Sequence, residues 1–591
     1  MGFLTLAAMR QGGGRLGIPG GGGVFAVIWC LSMGSAFAQG QVSDYVPVTD
    51  AELMNPAPGD WINWRRTLDG QGYSPLDQIN RDTVADLQLV WSWATPPGTD
   101  QVTPLVHDGV MYVPSRSGVQ ALDAVTGDFI WQHRRGDAPS ADETESMIVG
   151  PGLARRNIAI YDDKIFAGTS EAQLLALDAR TGEVVWEYQV ADSELGYRYS
   201  SGPIVVRGKL VVGMTGCERY KNDVCFISAH DPATGAEVWR TSTVARPGTP
   251  GGDTWGDLPL TFRAGADAWL PGSYDATTDL IYWSTAQAKP WSSAQRGTEG
   301  AALYTNSTLA LDPDTGEIRW YFQHIPAETH DLDEVFEVVL VNRGDRHALF
   351  KMGKIGVLWE LDPATGAFRA AHDLGYQDIV DIDPASGQGV LRRERVPELG
   401  VAVDYCPGPG GVKNLWAMAY HPETRAFYIP LTPGCAHAVY GEMPTPEIGG
   451  GGVGPSRREF TLHPDSPEQL GDFVAMDSDT GDILWRRRSR WQYGTAALTT
   501  GGGLVFVGDL DRYLYAFDVR DGSELWRTRT PTATDGFPIT YSVDGRQYLA
   551  VPSGPGWSLA WSNARQVFPD TMSRPPGSGS VIQVFALPAE R

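Results

Sequence analysis

The cysteines limit the chemistry of this chain most directly. Cys30 lies in an apolar N-terminal segment, and Cys217, Cys225, Cys406 and Cys435 lie in the body of the chain. An even number of cysteines in an exported protein is typical of disulfides. Local pairing would join the first two and the last two of these four, but sequence alone leaves the connectivity open. No C-x-x-C-H motif is present, so we expect no covalently attached haem.

The N-terminal segment has the pattern of a secretory leader. Arg10 and Arg15 precede an apolar run at residues 24–31, and a small-residue A-F-A sequence ends at Ala38. The run is much shorter than the ~20 residues that span a bilayer. We therefore expect cleavage after Ala38, export to the periplasm, no membrane span, and a single domain over residues 39–591.

The charge balance limits the partners of the mature chain. The chain has 71 acidic and 47 basic side chains, and the leader holds two of the basic ones and no acid, which leaves a net charge of −26. A surface of this sign disfavours nucleic acid and anionic lipid. It suits a basic protein partner or simple solubility.

A repeat of Asp, Gly and Trp runs along the body of the chain. In seven segments Gly follows Asp by four residues, and in six of them Trp follows four residues later, the exception being Ala370. The segments are residues 121–131, 176–186, 229–239, 310–320, 360–370, 475–485 and 516–526. The Asp can form an Asx turn, the Gly can take a positive φ, and alternating residues follow. Each segment therefore predicts a β-hairpin.

The repeat predicts an all-β fold of stacked sheets. A short sheet cannot bury both faces alone, so its neighbours must cover it, and radial stacking gives a propeller with few free edges. Seven hairpins, and one sheet completed by strands from both ends of the chain, predict an eight-bladed β-propeller. We expect the tryptophans to dock each sheet onto the next. The long gaps between repeats are interpreted as insertions between strands.

The repeat and the segment WINWRRTLDGQGYSPLDQIN at residues 61–80 together resemble the quinoprotein alcohol dehydrogenases, the family of the methanol dehydrogenase large subunit. The resemblance covers nearly all of the body of the chain. It implies a propeller that binds pyrroloquinoline quinone (PQQ) and calcium and oxidises a small-molecule alcohol. Without a haem motif, it also implies that electrons leave to a separate acceptor, a soluble c-type cytochrome.

The resemblance implies a metal site and a general base. Glu218 matches the metal-binding Glu of the family, and Gln287 falls where the family usually has the shorter Asn. Counted from Trp320, the catalytic aspartate falls on Asp331, which would take the hydroxyl proton, and Asp333 gives the D-x-D spacing of lanthanide-using relatives. Hard cations prefer such oxygen ligands. The implied ligands of calcium, with a lanthanide as the alternative, are Glu218, Gln287, Asp331 and Asp333.

The resemblance also implies the residues around the quinone. Trp269 would stack under the ring system, Lys354 would be a second catalytic residue beside its oxygens, and Arg156 would lie near a carboxylate of the cofactor. The other implied cofactor-binding residues are Ser200, Thr215, Asn414 and Trp557. The adjacent cysteines that cap the quinone in the family would fall on Gly150 and Pro151, so this cap is absent.

Other interpretations of the same residues stay open. Trp269 could pack between sheets, Glu218 could be a surface acid, and Asp331 taken alone could be a solvated loop acid. The alternative function is a non-catalytic envelope propeller that binds protein partners. Within the enzyme interpretation, the missing cap, Gln287 and a glycine-rich loop at residues 447–458 favour an open site for a bulky secondary alcohol.

Overall fold

The repeat segments fold as the hairpins that their residues predict. The computed structural model describes residues 40–96, 101–135, 156–344, 346–443, 445–554, 558–569 and 579–589. In the first repeat, the turn joins strands Gly118–Asp123 and Phe129–Arg134. Asp123 Oδ1 accepts the backbone N–H groups of Val125 and Thr126, each at 2.8 Å. The aspartate thus satisfies two donors of the turn with its own side chain.

Glycine closes all seven turns in the left-handed region of φ. The φ angles lie between 69° and 76° at Gly127, Gly182, Gly235, Gly316, Gly366, Gly481 and Gly522. A Cβ atom at Gly182 would overlap the indole ring of Trp131, which belongs to the preceding hairpin. The repeat glycine therefore serves the turn and also the close approach of the neighbouring tryptophan.

Eight sheets, each with four antiparallel strands in a meander, contain most of the strands of the described residues. Sheets 1 to 3 consist of Leu105–His107, Val110–Ser115, Gly118–Asp123 and Phe129–Arg134; Ala159–Tyr161, Lys164–Gly168, Gln173–Asp178 and Val184–Gln189; and Ile204–Val206, Lys209–Gly213, Phe226–His230 and Glu237–Ser242. Sheets 4 to 6 consist of Ser273–Asp275, Leu280–Ser284, Ser307–Leu311 and Ile318–Gln323; Val338–Asn342, His347–Met352, Val357–Leu361 and Phe368–Asp373; and Ala419–His421, Ala426–Leu431, Gly471–Asp477 and Ile483–Ser489. Sheets 7 and 8 consist of Leu498–Thr500, Leu504–Gly508, Tyr513–Asp518 and Glu524–Arg529; and Ile539–Val543, Arg546–Ser553, Ser580–Ala586 and Gln88–Thr95.

The remaining elements are short and lie mostly in the long gaps between repeats. The strands outside the eight meanders are Tyr73–Ser74, which pairs in parallel with sheet 7, the pair Ala264–Gly265 and Ala288–Lys289, the pair Val380–Ile382 and Gly389–Leu391, and the three strands Ala402–Tyr405, Gly434–Val439 and Arg457–Leu462. The α-helices are Asp50–Met54, Ser293–Arg296 and Ser558–Val567, and the 3-10 helices are Val84–Asp86, Ser193–Leu195, Gly252–Trp255, Leu260–Phe262 and Arg393–Arg395.

Tryptophans of the fourth strands attach most sheets to the next one. Trp131 of sheet 1 donates its indole N–H to the carbonyl oxygen of Ala179, the residue after the repeat aspartate of sheet 2, at 3.1 Å. The same bond, at 3.0 to 3.3 Å, joins Trp91 to Ala124, Trp186 to Pro232, Trp239 to Pro313, Trp320 to Pro363 and Trp485 to Val519. The apolar ring and the indole N–H of each tryptophan therefore both hold its sheet against the neighbouring sheet.

Two junctions between sheets use other residues. In sheet 5, where Ala370 replaces the tryptophan, the ring of His372 packs on Gly481 of sheet 6. In sheet 7, Trp526 contacts Phe585 of sheet 8 edge to face, with 5.6 Å between the ring centres. These contacts connect sheet 1 through sheet 8, and the tryptophan of sheet 8 returns to sheet 1.

Both ends of the described chain contribute to sheet 8. Strand Gln88–Thr95 pairs antiparallel with strand Ser580–Ala586, and Trp91 lies opposite Val584. This pairing agrees with the prediction that one sheet contains strands from both ends. The predicted leader lies outside the described residues, and within the described part no helix is long and apolar enough to cross a membrane.

Two disulfides follow the local pairing. Cys217 is bonded to Cys225, eight residues away in sequence, and Cys406 is bonded to Cys435, 29 residues away. The alternative connectivities are therefore excluded. The first disulfide closes the loop between two strands of sheet 3 that carries Glu218.

Candidate active site

A loop after sheet 4 presents Asp331 in a conformation that residues with a Cβ atom rarely adopt. The φ angle of Asp331 is 70°. Glu328, which is buried, holds the loop: its Oε1 accepts the N–H groups of His330 and Leu332 at 2.5 and 3.0 Å. A strained residue that surrounding bonds keep in place is typical of functional loops.

Two lysines hold the carboxylate of Asp331. Lys289 Nζ lies 2.8 Å from Oδ1, and Lys354 Nζ lies 3.1 Å from Oδ2. Lys354 Nζ also lies 2.9 Å from Asp333 Oδ2, so this lysine bridges the two aspartates. None of the four side chains is more than 14% exposed. The four side chains form a buried ionic cluster, and its N···O distances are those of charge-assisted hydrogen bonds.

The members of this cluster stabilise one another's charges. Burial opposes ionisation of Asp331, but Lys289 and Lys354 outweigh it and lower the pKa of this carboxyl group. Burial also opposes the charge of Lys289, but Asp331, followed by Glu218 and Asp333, raises its pKa. The pKa of Lys354 is raised against burial by Asp331 and Asp333. At neutral pH, Asp331 is therefore an anion and both lysines are cations.

Gln287 belongs to the same cluster. Its Nε2 donates to Asp331 Oδ1 at 2.5 Å, and its backbone N–H donates to Asp333 Oδ1 at 3.2 Å. Its Oε1 is buried and has no hydrogen-bond partner among the described residues. A buried amide oxygen without a donor is costly, and it is also a ligand that a hard cation prefers.

Backbone hydrogen bonds attach the Glu218 segment to Gln287. The carbonyl oxygen of Cys217 accepts the N–H of Gly265 at 2.8 Å, and the next residue, Ala266, donates to the carbonyl oxygen of Gln287 at 2.9 Å. Glu218 is half-buried, and its carboxylate makes no ion pair or hydrogen bond within the described part of the chain. The fold thus brings a carboxylate without a partner and an amide oxygen without a donor to neighbouring segments.

Trp269 forms an aromatic surface next to a cation. Arg156 Cζ lies 4.8 Å from the centre of the Trp269 ring, and Arg156 Nη1 donates to the carbonyl oxygen of Ser200 at 3.1 Å. Ser200 Oγ donates to the carbonyl oxygen of Trp269 at 3.2 Å. Phe336, three residues after Asp333, meets the Trp269 ring edge to face at 5.3 Å. The segment of the ionic cluster therefore also supports the aromatic surface.

The other predicted cofactor-binding residues have fewer contacts with Trp269 and the ionic cluster. Thr215 Oγ1 donates to the carbonyl oxygen of Arg198 at 2.7 Å, and the side chain of Asn414 bonds to the backbone of its own loop, at Gly410 and Leu415. Trp557 lies outside the described residues, as do residues 150–151, where the cysteine cap of the family would fall.

Three buried charged residues of the site have no counterpart in the sequence predictions: Lys289, Glu328 and Asp267. Lys289 follows Gln287 by two residues and ends the short strand Ala288–Lys289, and residues at this spacing point to the same side of an extended chain. That spacing is the signal that could have identified it. Asp267 Oδ1 accepts the N–H of Cys217 at 3.0 Å, and burial, together with the charge of Glu218, raises its pKa to about 6.

The glycine-rich loop at residues 447–458 packs on the segment that carries the predicted metal-binding glutamate. The N–H of Tyr220 donates to the carbonyl oxygen of Gly450 at 2.7 Å. Further along the loop, the N–H of Trp291 donates to the carbonyl oxygen of Val453 at 2.9 Å. The loop therefore connects the Glu218 segment with the segment that follows Lys289.

Comparison with known proteins identifies the family. The family model described as the β-propeller domain of PQQ-dependent glucose, ethanol and alcohol dehydrogenases matches residues 61–368 and 470–549, more than half of the chain. The chain belongs to the PQQ-dependent alcohol dehydrogenase family. Membership in this family makes the chain a quinoprotein dehydrogenase that acts on alcohols, with an all-β propeller fold, and it excludes the non-catalytic scaffold.

Members of the PQQ-dependent alcohol dehydrogenase family are similar to this chain over most of its length. The quinoprotein alcohol dehydrogenase PedH of Pseudomonas putida is 34% identical over 524 residues, which cover 83% of this chain and 85% of PedH. The quinoprotein ethanol dehydrogenase of Pseudomonas aeruginosa is 29% identical over 95% of this chain and 96% of its own. Among solved structures, a europium-containing methanol dehydrogenase matches with a TM-score of 0.80 at 26% identity, covering 91% of this chain and 100% of its own.

Proposed function

We propose that this enzyme oxidises a bulky secondary alcohol to the carbonyl compound, with PQQ as hydride acceptor and Asp331 as general base. The observation that carries the proposal is the Asp331 carboxylate, which is buried and ionised between two lysine ammonium groups. A general base has to be unprotonated before it can accept the hydroxyl proton of the substrate. The lowered pKa of Asp331 provides that state at neutral pH.

The residues around Trp269 fit the cofactor that the family binds. PQQ is planar and anionic, and Trp269 offers a flat aromatic ring with the guanidinium of Arg156 over it. We propose that the residues that hold PQQ are Arg156, Ser200, Thr215, Trp269, Asn414 and Trp557. When bound, the quinone supplies the acceptor for hydride.

The donor set also fits a hard cation. Gln287 Oε1 is buried without a donor, and the Glu218 carboxylate has no partner within the described part of the chain. We propose these two groups as ligands of calcium, which supplies a Lewis acid when bound, with a lanthanide as the alternative. Asp331 and Asp333 are the other proposed ligands, and the carboxylate of each already forms an ion pair with a lysine.

The proposed proton transfer uses groups that this chain holds in place. Asp331 takes the hydroxyl proton of the alcohol as the hydride leaves the adjacent carbon. Lys354, which contacts Asp331 and Asp333, keeps a positive charge beside the reacting atoms and stabilises negative charge that develops there. Glu328 keeps the Asp331 loop in its left-handed conformation during this step.

Three features support a bulky secondary alcohol as substrate. The family's cysteine cap is absent at residues 150–151, and Gln287 is longer than the usual Asn. The glycine-rich loop packs beside the Glu218 segment, and its glycines add no side-chain volume there. A pocket gains specificity from its shape and from a few fixed polar groups, so these changes favour a larger substrate than methanol.

The remaining parts of the proposal concern assembly and electron transfer. We propose that the eight sheets are the eight blades of the family propeller, since contacts lead from each sheet to the next and from sheet 8 to sheet 1. We also propose cleavage of the leader after Ala38 and a periplasmic location. A soluble c-type cytochrome is the proposed electron acceptor, because the chain has no haem-attachment motif.

Replacement of Asp331 tests the proposed chemistry. For Asp331→Asn we expect dye-linked alcohol oxidation to fall by about a thousandfold, because the side chain keeps its shape and loses its basicity. The measurement is kcat with an artificial electron acceptor, over a panel of primary and bulky secondary alcohols. In the wild-type enzyme we expect kcat/KM to be higher for the bulky secondary alcohols than for methanol.

The matched control is Asp314→Asn, which removes a surface carboxylate that also pairs with a lysine, Lys209 at 2.8 Å. This variant should keep wild-type turnover. Both variants should bind PQQ, as measured by the absorbance of the bound quinone. Unchanged turnover in Asp331→Asn would contradict the role of this residue as base.

A further inference from the structure

The ammonium group of Lys289 forms an ion pair with one of the proposed metal ligands, Asp331. Lys289 Nζ is 2.8 Å from Asp331 Oδ1, the oxygen that also accepts from Gln287 Nε2. The opposite oxygen of Asp331 and one oxygen of Asp333 are taken by Lys354. The two aspartates are therefore already neutralised by cations that belong to the chain itself.

The backbone fixes the position of Lys289 together with that of Gln287. Lys289 pairs with Ala264, and Ala288 pairs with Gly265, in the two-stranded sheet that attaches the Glu218 segment. Its ammonium group also lies 5.1 Å from the ring centre of Trp291. The side chain is 10% exposed, so its charge is held inside the site and not in solvent. A buried ion pair of this kind is lost only at a large cost.

Lys289 changes the net charge of the cluster. Glu218, Asp331 and Asp333 carry three formal negative charges, and Lys289 and Lys354 carry two positive ones, so the cluster has one net negative charge. Without the charge of Lys289 it would have two. A metal ion that binds Asp331 meets the ammonium group of Lys289, which it either displaces or has beside it as a like charge.

We infer that Lys289 is a built-in counter-cation of Asp331, which competes with the metal ion and weakens its binding at Glu218, Gln287 and the two aspartates. The inference rests on the proposed function for the location of the metal site. Repulsion by the ammonium group grows with the charge of the ion, so a trivalent ion is disfavoured more than a divalent one. Lys289 therefore lowers the affinity for a lanthanide by a larger factor than the affinity for calcium and opposes the lanthanide binding that the D-x-D spacing suggests.

The test is metal binding to the whole protein after treatment with a chelator, in the absence of quinone. Calcium is titrated by calorimetry, and terbium(III) by its luminescence on tryptophan excitation, with the wild type and Lys289→Met. Even in a water-like dielectric, a unit charge about 5 Å from a divalent ion alters its binding by roughly tenfold. We expect Lys289→Met to bind calcium more tightly by at least this factor, with a larger gain for terbium.

Three further variants show whether any change is specific to the charge of Lys289. Lys289→Arg keeps the charge and should keep the weak binding, whereas Lys289→Gln is a second neutral variant in case Met does not fold. Lys209→Met removes a lysine from a surface ion pair and should bind metal as the wild type does. Circular dichroism and the melting temperature check that each variant is folded.

Equal calcium affinity in the wild type and in folded neutral variants would overturn the inference. So would a gain that is no larger for terbium than for calcium. These outcomes are distinct from failure of the proposed function, because the titrations need neither quinone nor turnover. If the neutral variants gain affinity but no alcohol is oxidised, the counter-cation stands and the proposed function fails.

Discussion

At the scale of single residues, Glu328 is the side chain that fixes the position of Asp331 without touching the proposed reacting atoms. Its Oε1 accepts two successive backbone donors of the loop, the N–H groups of His330 and Leu332. Burial raises the pKa of Glu328 to about 7, although both hydrogen bonds oppose the shift. The loop therefore depends on a carboxyl group whose ionised form is disfavoured in the folded protein.

The raised pKa of Glu328 predicts a pH-dependent stability. The folded state binds this proton more tightly than the unfolded state, so stability falls as pH rises from the unfolded pKa towards the folded value of about 7. Glu328→Gln keeps one acceptor oxygen and cannot ionise. We expect its melting temperature, relative to that of the wild type, to be similar at about pH 5 and higher at about pH 8.

The comparison variant for this prediction is Glu328→Ala, which removes the acceptor itself. It should be destabilised at both pH values, because two N–H groups lose their partner. It should also lose turnover with KM little changed, since misplacement of Asp331 affects the transition state more than binding. A pH-independent difference between Glu328→Gln and the wild type would contradict the assignment.

The sequence predicts Asp331 as the base, but it does not predict the ion pairs that the carboxylate of Asp331 forms. Counting from Trp320 along the resemblance to the family selects Asp331 rather than Asp333 as the base, and this choice stays a prediction. Its partners Lys289 and Lys354 are 42 and 23 residues away and meet it only after separate strands have assembled. No local pattern reports such contacts, so the ionic cluster had to be found in the structure.

At the scale of the elements, the hairpin turn and the docking tryptophan form one unit. The repeat glycine lies against the tryptophan of the preceding sheet, as Gly182 lies against Trp131. The tryptophan in turn donates to the residue after the repeat aspartate, Ala179 in this case. Turn formation and sheet docking therefore depend on the same few residues.

This coupling predicts that Gly182→Ala lowers the free energy of unfolding by more than the change in the turn alone would. Both Gly182 and Gly248 have positive φ, but a Cβ at Gly182 meets the Trp131 ring and a Cβ at Gly248 meets nothing within 4 Å. Gly248→Ala should lower the free energy of unfolding by about 1 kcal/mol, because alanine disfavours the left-handed conformation. Gly182→Ala should cost about 1–3 kcal/mol more, because the indole ring has to move.

The measurement for this pair is chemical unfolding followed by tryptophan fluorescence and by circular dichroism. Equal losses in the two variants would show that the turn does not support the docking of sheet 1 on sheet 2. Aromatic fluorescence at low denaturant should change in Gly182→Ala only, because Trp131 is fully buried in the wild type.

The sequence predicts the hairpins well because each one is determined by neighbours in the chain. Asp, Gly and the following alternation satisfy the turn donors locally, as at Asp123. The junction after sheet 5 could not be predicted in this way, since Ala370 offers no ring. There His372 contacts Gly481, and an additional hairpin, Val380–Ile382 with Gly389–Leu391, follows the sheet.

At the scale of the whole molecule, the acidic surface should determine how fast an electron acceptor arrives. The mature chain is predicted to carry a net charge of −26. Opposite charges steer two proteins towards each other, and dissolved salt screens this attraction. We expect the second-order rate of reduction of a basic cytochrome c to fall by about tenfold or more between low and physiological salt.

Two comparisons isolate the electrostatic part of that rate. Reduction of an uncharged dye by the same enzyme should change little with salt, because no steering is involved. An acidic cytochrome should react slowly at low salt and gain as salt is added. A rate with the basic cytochrome that is constant over the salt range would rule out steering by the net charge.

The composition of sheet 8 has a consequence for how the protein reaches its native state. Its outer strand, Gln88–Thr95, is synthesised early, whereas its partner, Ser580–Ala586, is the last strand of the described chain to be made. Such a long-range pairing gives a high contact order and slow folding. Until synthesis is complete, the early strand has an unpaired edge, which is a template for aggregation. This strand should therefore have the greatest need for protection from aggregation during biogenesis. The protein becomes resistant to aggregation at this edge only when its last strand has paired.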